Sequence, residues 1–205
     1  MNFFRQIVQK PWVPVVATAD ELIEGREFPD PPIRIGLRVF LGVVTVIFSL
    51  LVISYFGRMA YNDWRAFPEP WLLWLNTALL ISSSVAFHQS LSAIRRGKPD
   101  RVKDGLLFGG LLATCFLVGQ LLIWQQMVAS GFYAEANPAN AFFFVLTGLH
   151  ALHLLGGLVA WGKTGAKLLA GMESDKLRQS LELAALYWDY LLLIWLVLFG
   201  LLIFT

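Results

Sequence analysis

Five long apolar stretches, roughly 35–57, 71–94, 105–128, 140–162 and 181–204, alternate with short segments that are polar or carry proline. Crossing a hydrocarbon core takes about 20 helical residues at roughly 1.5 Å each, so every stretch is long enough to span. The pattern predicts an all-α, polytopic membrane protein in which residues 35–205 form one bundle of five transmembrane helices. A separate N-terminal segment, 1–34, precedes it. Pro11, Pro14, Pro29, Pro31 and Pro32 argue against a spanning helix there, although residues 18–27 can form a short surface helix with Thr18 or Asp20 as its N-cap. Phe3, Phe4, Ile7, Val8 and Trp12 beside Arg5 and Lys10 leave two readings of the start, an interfacial anchor or a loosely ordered tail.

The composition agrees with the pattern. The chain has 205 residues, 57% of them hydrophobic and 15% charged, which suits a multi-span membrane protein rather than a soluble domain. The first residues, MNFFRQIVQKPW, lack the apolar core and small-residue cleavage site of a secretory signal, so the first span is expected to act as the targeting signal. The single cysteine, Cys115, lies within an apolar run, which excludes a disulfide framework and suggests a small core residue. A stripe of small residues at four-residue spacing, Gly105, Gly109 and Ala113, offers an edge on which another helix backbone can approach closely.

The net charge of +2 says less than its placement. Arg5, Lys10, Arg26 and Arg34 precede the first stretch; Arg95, Arg96, Lys98, Arg101 and Lys103 lie between the second and third; Lys163, Lys167, Lys176 and Arg178 lie between the fourth and fifth. The other two connections hold only Arg58 and Arg65. The positive-inside rule then predicts a cytoplasmic N-terminus and a periplasmic C-terminus. Trp71, Trp74, Trp124 and Trp161, near the predicted ends, suit interfacial belts. No nucleic-acid partner is expected.

Ionisable groups inside the apolar stretches are the candidate chemistry, because polar groups at membrane depth cost free energy unless they face protein. His150 and His153 stand at i and i+3 in the fourth stretch, in a stripe that Thr147 and Gly157 continue. Glu182 and Asp189 share a face of the fifth. At about 1.5 Å per residue His153 and Asp189 both come roughly 12–14 Å deep. These four residues are expected to form an intramembrane polar cluster bridging the fourth and fifth helices. Three roles are open to it: a packing contact, a part in proton supply or lipid head-group binding, or a metal or haem site. The last draws on His88, whose depth is close to that of His153 and which could serve with it as an axial pair. Arg38, Asn76, His88, Gln120 and Trp188 are further helix-packing or lipid-contact candidates, with Arg38 placed to snorkel to the inner surface or to pair with Glu182.

Particular phrases also resemble a known family. Phe144-Val145-Leu146-Thr147-Gly148-Leu149-His150-Ala151-Leu152-His153 with Gly156-Gly157 is similar to the TGxHGxH segment of subunit III of the haem-copper respiratory oxidases. Residues 182–188, ELAALYW, resemble that family's EAxxxYWHFVDVVW ahead of its last helix; residues 76–84, NTALLISSS, resemble its NTxxLLSSS; and residues 36–45 resemble GMWLFLASEV. The resemblance covers about residues 35–205 and implies the short, five-helix bacterial type. It also departs from the family pattern. The family's buried glutamate falls on Val44, a tryptophan on Arg38, the histidine after Tyr-Trp on Asp189 and a later aspartate on Leu192. The proton-handling role associated with that glutamate therefore does not carry over.

The resemblance implies a non-catalytic subunit III of a respiratory terminal oxidase in a bacterial inner membrane. It would pack against the catalytic subunit I, beside subunit II, with bound phospholipid, and would stabilise subunit I and support proton supply. The haems and copper are expected in subunit I, and no cofactor or metal is expected on this chain, whose three histidines are too few for a haem-copper centre. Three alternatives stand beside it: an accessory subunit of a nitric oxide reductase-type complex, a haem-binding membrane cytochrome using His88 and His153, and a small transporter.

Overall fold

The structure, a computed structural model, describes residues 32–65, 70–171 and 174–204. The surface helix and anchor expected before residue 32 lie outside the described residues. All regular structure among those described is helical: α1 (Pro32–Met59), α2 (Leu72–Arg95), α3 (Pro99–Ala129), α4 (Pro138–Leu169) and α5 (Ser174–Phe204). Residues 37–205 form one compact unit.

Four of the helices are long and apolar enough to cross a membrane: α1, α3 from Asp100, α4, and α5 from Leu177. The exception is α2, whose 24 residues include Asn76, Thr77, Ser82, Ser83, Ser84, His88, Gln89, Ser90 and Ser92. These polar side chains lower its apolar character, yet most of them are enclosed: Asn76, Thr77, Ser83, Ser84 and Ser90 are all buried. Three helices run further than the apolar pattern predicts, α3 among them, which begins at Pro99 rather than near 105. α4 continues to Leu169 and α5 begins at Ser174, because Lys163, Lys167 and Arg178 are good helix formers and Arg178 pairs with Glu182 one turn on.

Helix ends follow local chemistry. After α2, Gly97 takes φ 66°, and Lys98 N–H reaches back to the Ala93 carbonyl at 3.0 Å, a left-handed cap that a side chain would strain. Gly131 (φ 86°) ends α3 the same way, with Phe132 N–H on the Met127 carbonyl at 2.9 Å. At the start of α4, Asn137 caps Ala139 N–H at 3.2 Å ahead of Pro138. The same side chain donates to the Arg65 carbonyl at 2.7 Å, tying the α1–α2 connection to α4.

α2 and α4 each pack against both α3 and α5, so these four helices close into a ring. Its centre holds Phe116, Phe143, Leu154, Trp188 and Trp195, all almost fully buried. The α2–α3 seam is the tightest. A Cβ on Gly105 would stand 2.9 Å from the Ala86 carbonyl oxygen, and one on Gly109 would meet the Phe87 ring at 3.0 Å, so the small-residue stripe does admit a close backbone. α1 is attached differently. It buries only Val44, Phe48 and Tyr55, which join Leu146, Leu198 and Leu201 in a second apolar cluster.

Two expectations are corrected. Cys115 is exposed rather than in the core; an apolar run on a membrane helix is apolar on its lipid face too, so hydropathy alone could not assign its side. Trp71 and Trp74 are exposed, as a belt requires, but Trp124 and Trp161 are part-buried and donate hydrogen bonds within the bundle.

Candidate functional site

The polar side chains inside the bundle fall into three sets. The first is a series of indole donors. Trp188 Nε1 donates to Ser83 Oγ at 3.0 Å, and Ser83 in turn donates to the Gly109 carbonyl at 2.7 Å, linking α5, α2 and α3. Trp195 Nε1 donates to Thr77 Oγ1 at 3.0 Å, and Thr77 donates to the Leu73 carbonyl. Trp124 Nε1 donates to Thr147 Oγ1 at 3.0 Å, and Thr147 donates to the Phe143 carbonyl. Trp161 Nε1 reaches the Leu106 carbonyl directly at 2.7 Å. A hydroxyl both accepts and donates, so in each relay it accepts the indole hydrogen bond and still donates its own. In hydrocarbon no water would do so.

The second set lines the α2–α5 seam. Glu182 lies between Arg178 (3.2 Å) and Arg95 (3.5 Å). Asp189, two turns further along α5, takes both oxygens to His88 Nε2 at 2.9 Å, while Ser84 Oγ donates to Oδ1 at 2.8 Å. Glu182 and Asp189 thus share a face, as expected, but that face meets α2 rather than α4. The expected His153–Asp189 pair is not formed. Tyr187 and Asp189 are two residues, about 200°, apart on the helix, and it is Tyr187 that faces α4, its hydroxyl donating to the His153 carbonyl at 2.9 Å. Glu182 is engaged by Arg95 and Arg178.

The third set is central. Asn76 Nδ2 donates to the Phe116 carbonyl (3.3 Å) and to Gln120 Oε1 (3.4 Å), joining α2 to α3. His150 is fully buried, stacked against Trp195 at 5.1 Å and edge-on to Phe116 at 5.9 Å. Neither of its ring nitrogens has a hydrogen-bond partner among the described residues. His153 does not join it. Three residues advance a helix about 300°, leaving roughly 60° between the two rings, enough to turn His153 toward α1. There it lies 5.7 Å from Phe48 and 6.1 Å from Phe40, with Nδ1 on the Leu149 carbonyl at 2.7 Å.

The expected four-residue cluster is therefore divided among three places. His88, the possible axial ligand, is engaged by Asp189, and His153 by its own helix. Among the described residues no three His, Cys, Asp or Glu side chains come together to hold a metal ion. Sequence reasoning missed Tyr187, Trp161 and Trp195 as interhelical donors, and Tyr190, whose hydroxyl donates to the Leu41 carbonyl at 3.1 Å and lies 2.8 Å from Thr45 Oγ1. Their signal was present: indole and phenol groups deep in an apolar stretch need a polar partner. Val44, where the resembled family has a glutamate, is buried among Phe48, Leu146 and Leu198.

Comparison with known proteins gives the same direction. The chain is 27% identical over 175 residues to cytochrome c oxidase subunit 3 of Corynebacterium diphtheriae, covering 82% of this chain and 85% of that one. It is 27% identical over 190 residues to cytochrome c oxidase subunit 3 of Thermostichus vulcanus, covering 90% and 92%. A third relative, haem-copper oxidase subunit I+III of Aeropyrum pernix, is 26% identical over 200 residues, which cover 89% of this chain and 24% of that longer one. The family model described as cytochrome c oxidase subunit III matches residues 67–205. That match takes in α2 to α5 and every indole relay described above, and the chain belongs to the cytochrome c oxidase subunit III family.

Proposed function

We propose that this subunit III is a non-catalytic part of a bacterial terminal oxidase, crosses the inner membrane five times with its N-terminus cytoplasmic, and stabilises the haem-bearing subunit I. The observation that carries the reading is the Aeropyrum relative, whose name joins subunits I and III in one chain. A module fused to subunit I in one lineage is expected to sit against it as a separate chain in another. The disposition of the polar groups supports this, since most of them are used in holding helices to one another.

Basic residues support the orientation. Arg95, Arg96, Lys98, Arg101 and Lys103 cluster around the α2–α3 turn, and Lys163 and Lys167 close α4 on the side where α5 begins. α2 counts as the fifth span because its buried polar side chains find partners on α3 and α5. Bound phospholipid has a candidate place: a cavity of about 650 Å³ beside the α2–α3 turn, where Arg96, Lys98 and Arg101, with the single carboxylate Asp104, stand over Ala86, Ala93 and Phe108. Cations above an apolar wall suit an anionic head group with its acyl chains below. Support of proton supply is part of the proposal, without the family glutamate as its agent.

The test is purification of the tagged chain in mild detergent, with an absorption spectrum and oxygen uptake measured on what accompanies it. A large haem-bearing polypeptide that consumes oxygen is the expected companion, and its donor, cytochrome c or quinol, can then be read directly. A companion that reduces nitric oxide moves the chain to the reductase relatives. A colourless chain alone counts against the reading. A Soret band carried by the isolated chain and lost in His88→Ala supports a cytochrome instead.

A further inference from the structure

A hydrogen-bonded dyad lies on the outside of the bundle at a depth where neither member is expected to face lipid. The side chains of His88 and Asp189 are 54% and 41% exposed. Their depth follows from the register of α2 against α5. Arg95 meets Glu182, and seven residues deeper on each helix His88 meets Asp189, about 10 Å further in at 1.5 Å per residue. Asp189 falls near the middle of Leu177–Phe204, one of the helices able to cross a membrane. Exposed apolar side chains border the dyad, Ile81 and Val85 on α2 and Leu186 and Leu193 on α5, with Gln89 exposed beside His88.

Lipid tails cannot hydrogen-bond, and a polar group left to them costs several kcal/mol by order of magnitude. Ser84 and His88 satisfy part of the carboxylate from within the chain. Nothing described contacts the second ring nitrogen, His88 Nδ1, and the outer side of the carboxylate stays open. At two turns below the Arg95–Glu182 pair the site is beyond the ordinary reach of lipid head groups. A polar island bordered by apolar side chains is the anatomy of a helix-to-helix contact within a membrane, where one hydroxyl or amide specifies the pairing.

We propose that the α2–α5 face centred on His88 and Asp189 is the docking surface for a transmembrane helix of the haem-bearing partner, which brings a hydroxyl or carboxamide side chain to the dyad. The identity of that partner rests on the oxidase reading above; the location of the contact does not. The face is distinct from the outer side of α3, where Leu107, Phe108, Leu111, Cys115 and Leu121 are exposed.

The test places a photo-activated cross-linking residue at Val85 or Leu193 and, for comparison, at Leu107 or Leu121, in the full complex in native membranes. Cross-links from Val85 and Leu193 to the haem-bearing polypeptide, with few from α3, are the expected result. Cross-links from α3 alone, or from Val85 to a second copy of this chain, overturn the proposal while leaving the oxidase reading intact. Absence of any haem-bearing companion from the unsubstituted chain overturns both. In a second arm, the double variant His88→Leu with Asp189→Leu removes both members together, so that neither is left without its partner. It should keep the melting temperature of the isolated chain and lower the yield of complex at least threefold. An unchanged yield overturns the proposal.

Discussion

At the scale of single residues, the bundle is held by donors that have no solvent to turn to. Trp188, Ser83 and the Gly109 carbonyl form a chain across three helices. Polar contacts in membrane bundles average about 0.6 kcal/mol in double-mutant cycles. A cycle of Trp188→Phe and Ser83→Ala, followed by thermal unfolding in detergent, should give coupling of that order, and strictly additive losses would show that the contact contributes nothing. Gly119 tests packing rather than hydrogen bonding. A Cβ there would overlap Asn76 Oδ1, part of an amide held by Phe116 and Gln120. Gly119→Ala should therefore cost about 1–3 kcal/mol as overpacking; Gly200→Ala, which meets nothing within 4 Å, is the control and should instead raise stability by about 0.5–1 kcal/mol, as helix-interior alanine does.

Among the elements, α2 is where apolar pattern and packing part company. It is the one described helix that does not qualify as a span by length and composition, yet five of its polar side chains are buried. α1 is the reverse, almost wholly apolar and held along one stripe. Between them, Asn137 joins the α1–α2 connection to the start of α4. Asn137→Ala removes both a cap and that tie, and a loss of about 1 kcal/mol is expected from the cap alone. Calorimetry of the variant showing no loss would mean that water replaces the side chain at no cost. In the same connection Arg58 donates to Asp63 at 2.8 Å, and that hydrogen bond holds the Asp63 carboxyl below its ordinary value. A depressed carboxylate adds stability above its unfolded pKa, and that stability disappears as pH falls through the folded one. Amide protection factors around residues 60–65, corrected for the intrinsic pH dependence of exchange, should accordingly fall in the acid range below about 4, and Asp63→Asn should remove that loss.

For the whole molecule, a ring of four helices with a fifth laid against it predicts unequal stability. α2 to α5 each have two neighbours in the ring, whereas α1 is tied through Val44, Phe48, Tyr55 and the Thr45–Tyr190 contact. Local opening is easiest where buried contacts are fewest. Hydrogen exchange of the detergent-solubilised chain should find α1 exchanging first, and uniform protection across all five helices would contradict the arrangement. The same architecture leaves large apolar faces on α1 and α3 open to lipid or partners, consistent with a subunit whose working state is a complex.

How much was legible follows from which forces are local. Helix number, approximate bounds and the membrane class are written in hydropathy and in the punctuation at Gly97, Pro99, Asn137 and Pro138, because backbone hydrogen bonds in lipid must close within each segment. The family is legible in short phrases such as residues 147–153 and 182–188. The small-residue stripe was also readable, since a missing side chain is visible without a partner. Which side chains meet was not. Asp189 pairs with His88 instead of His153, and Glu182 with Arg95, because rotation about the helix axis decides the partner and an apolar stretch that is apolar all round carries little rotational signal. Depth can be counted along a chain. Azimuth is set only when the helices pack, as Gly105 admits α2 and Tyr187 takes the place facing α4 that leaves Asp189 on the other side.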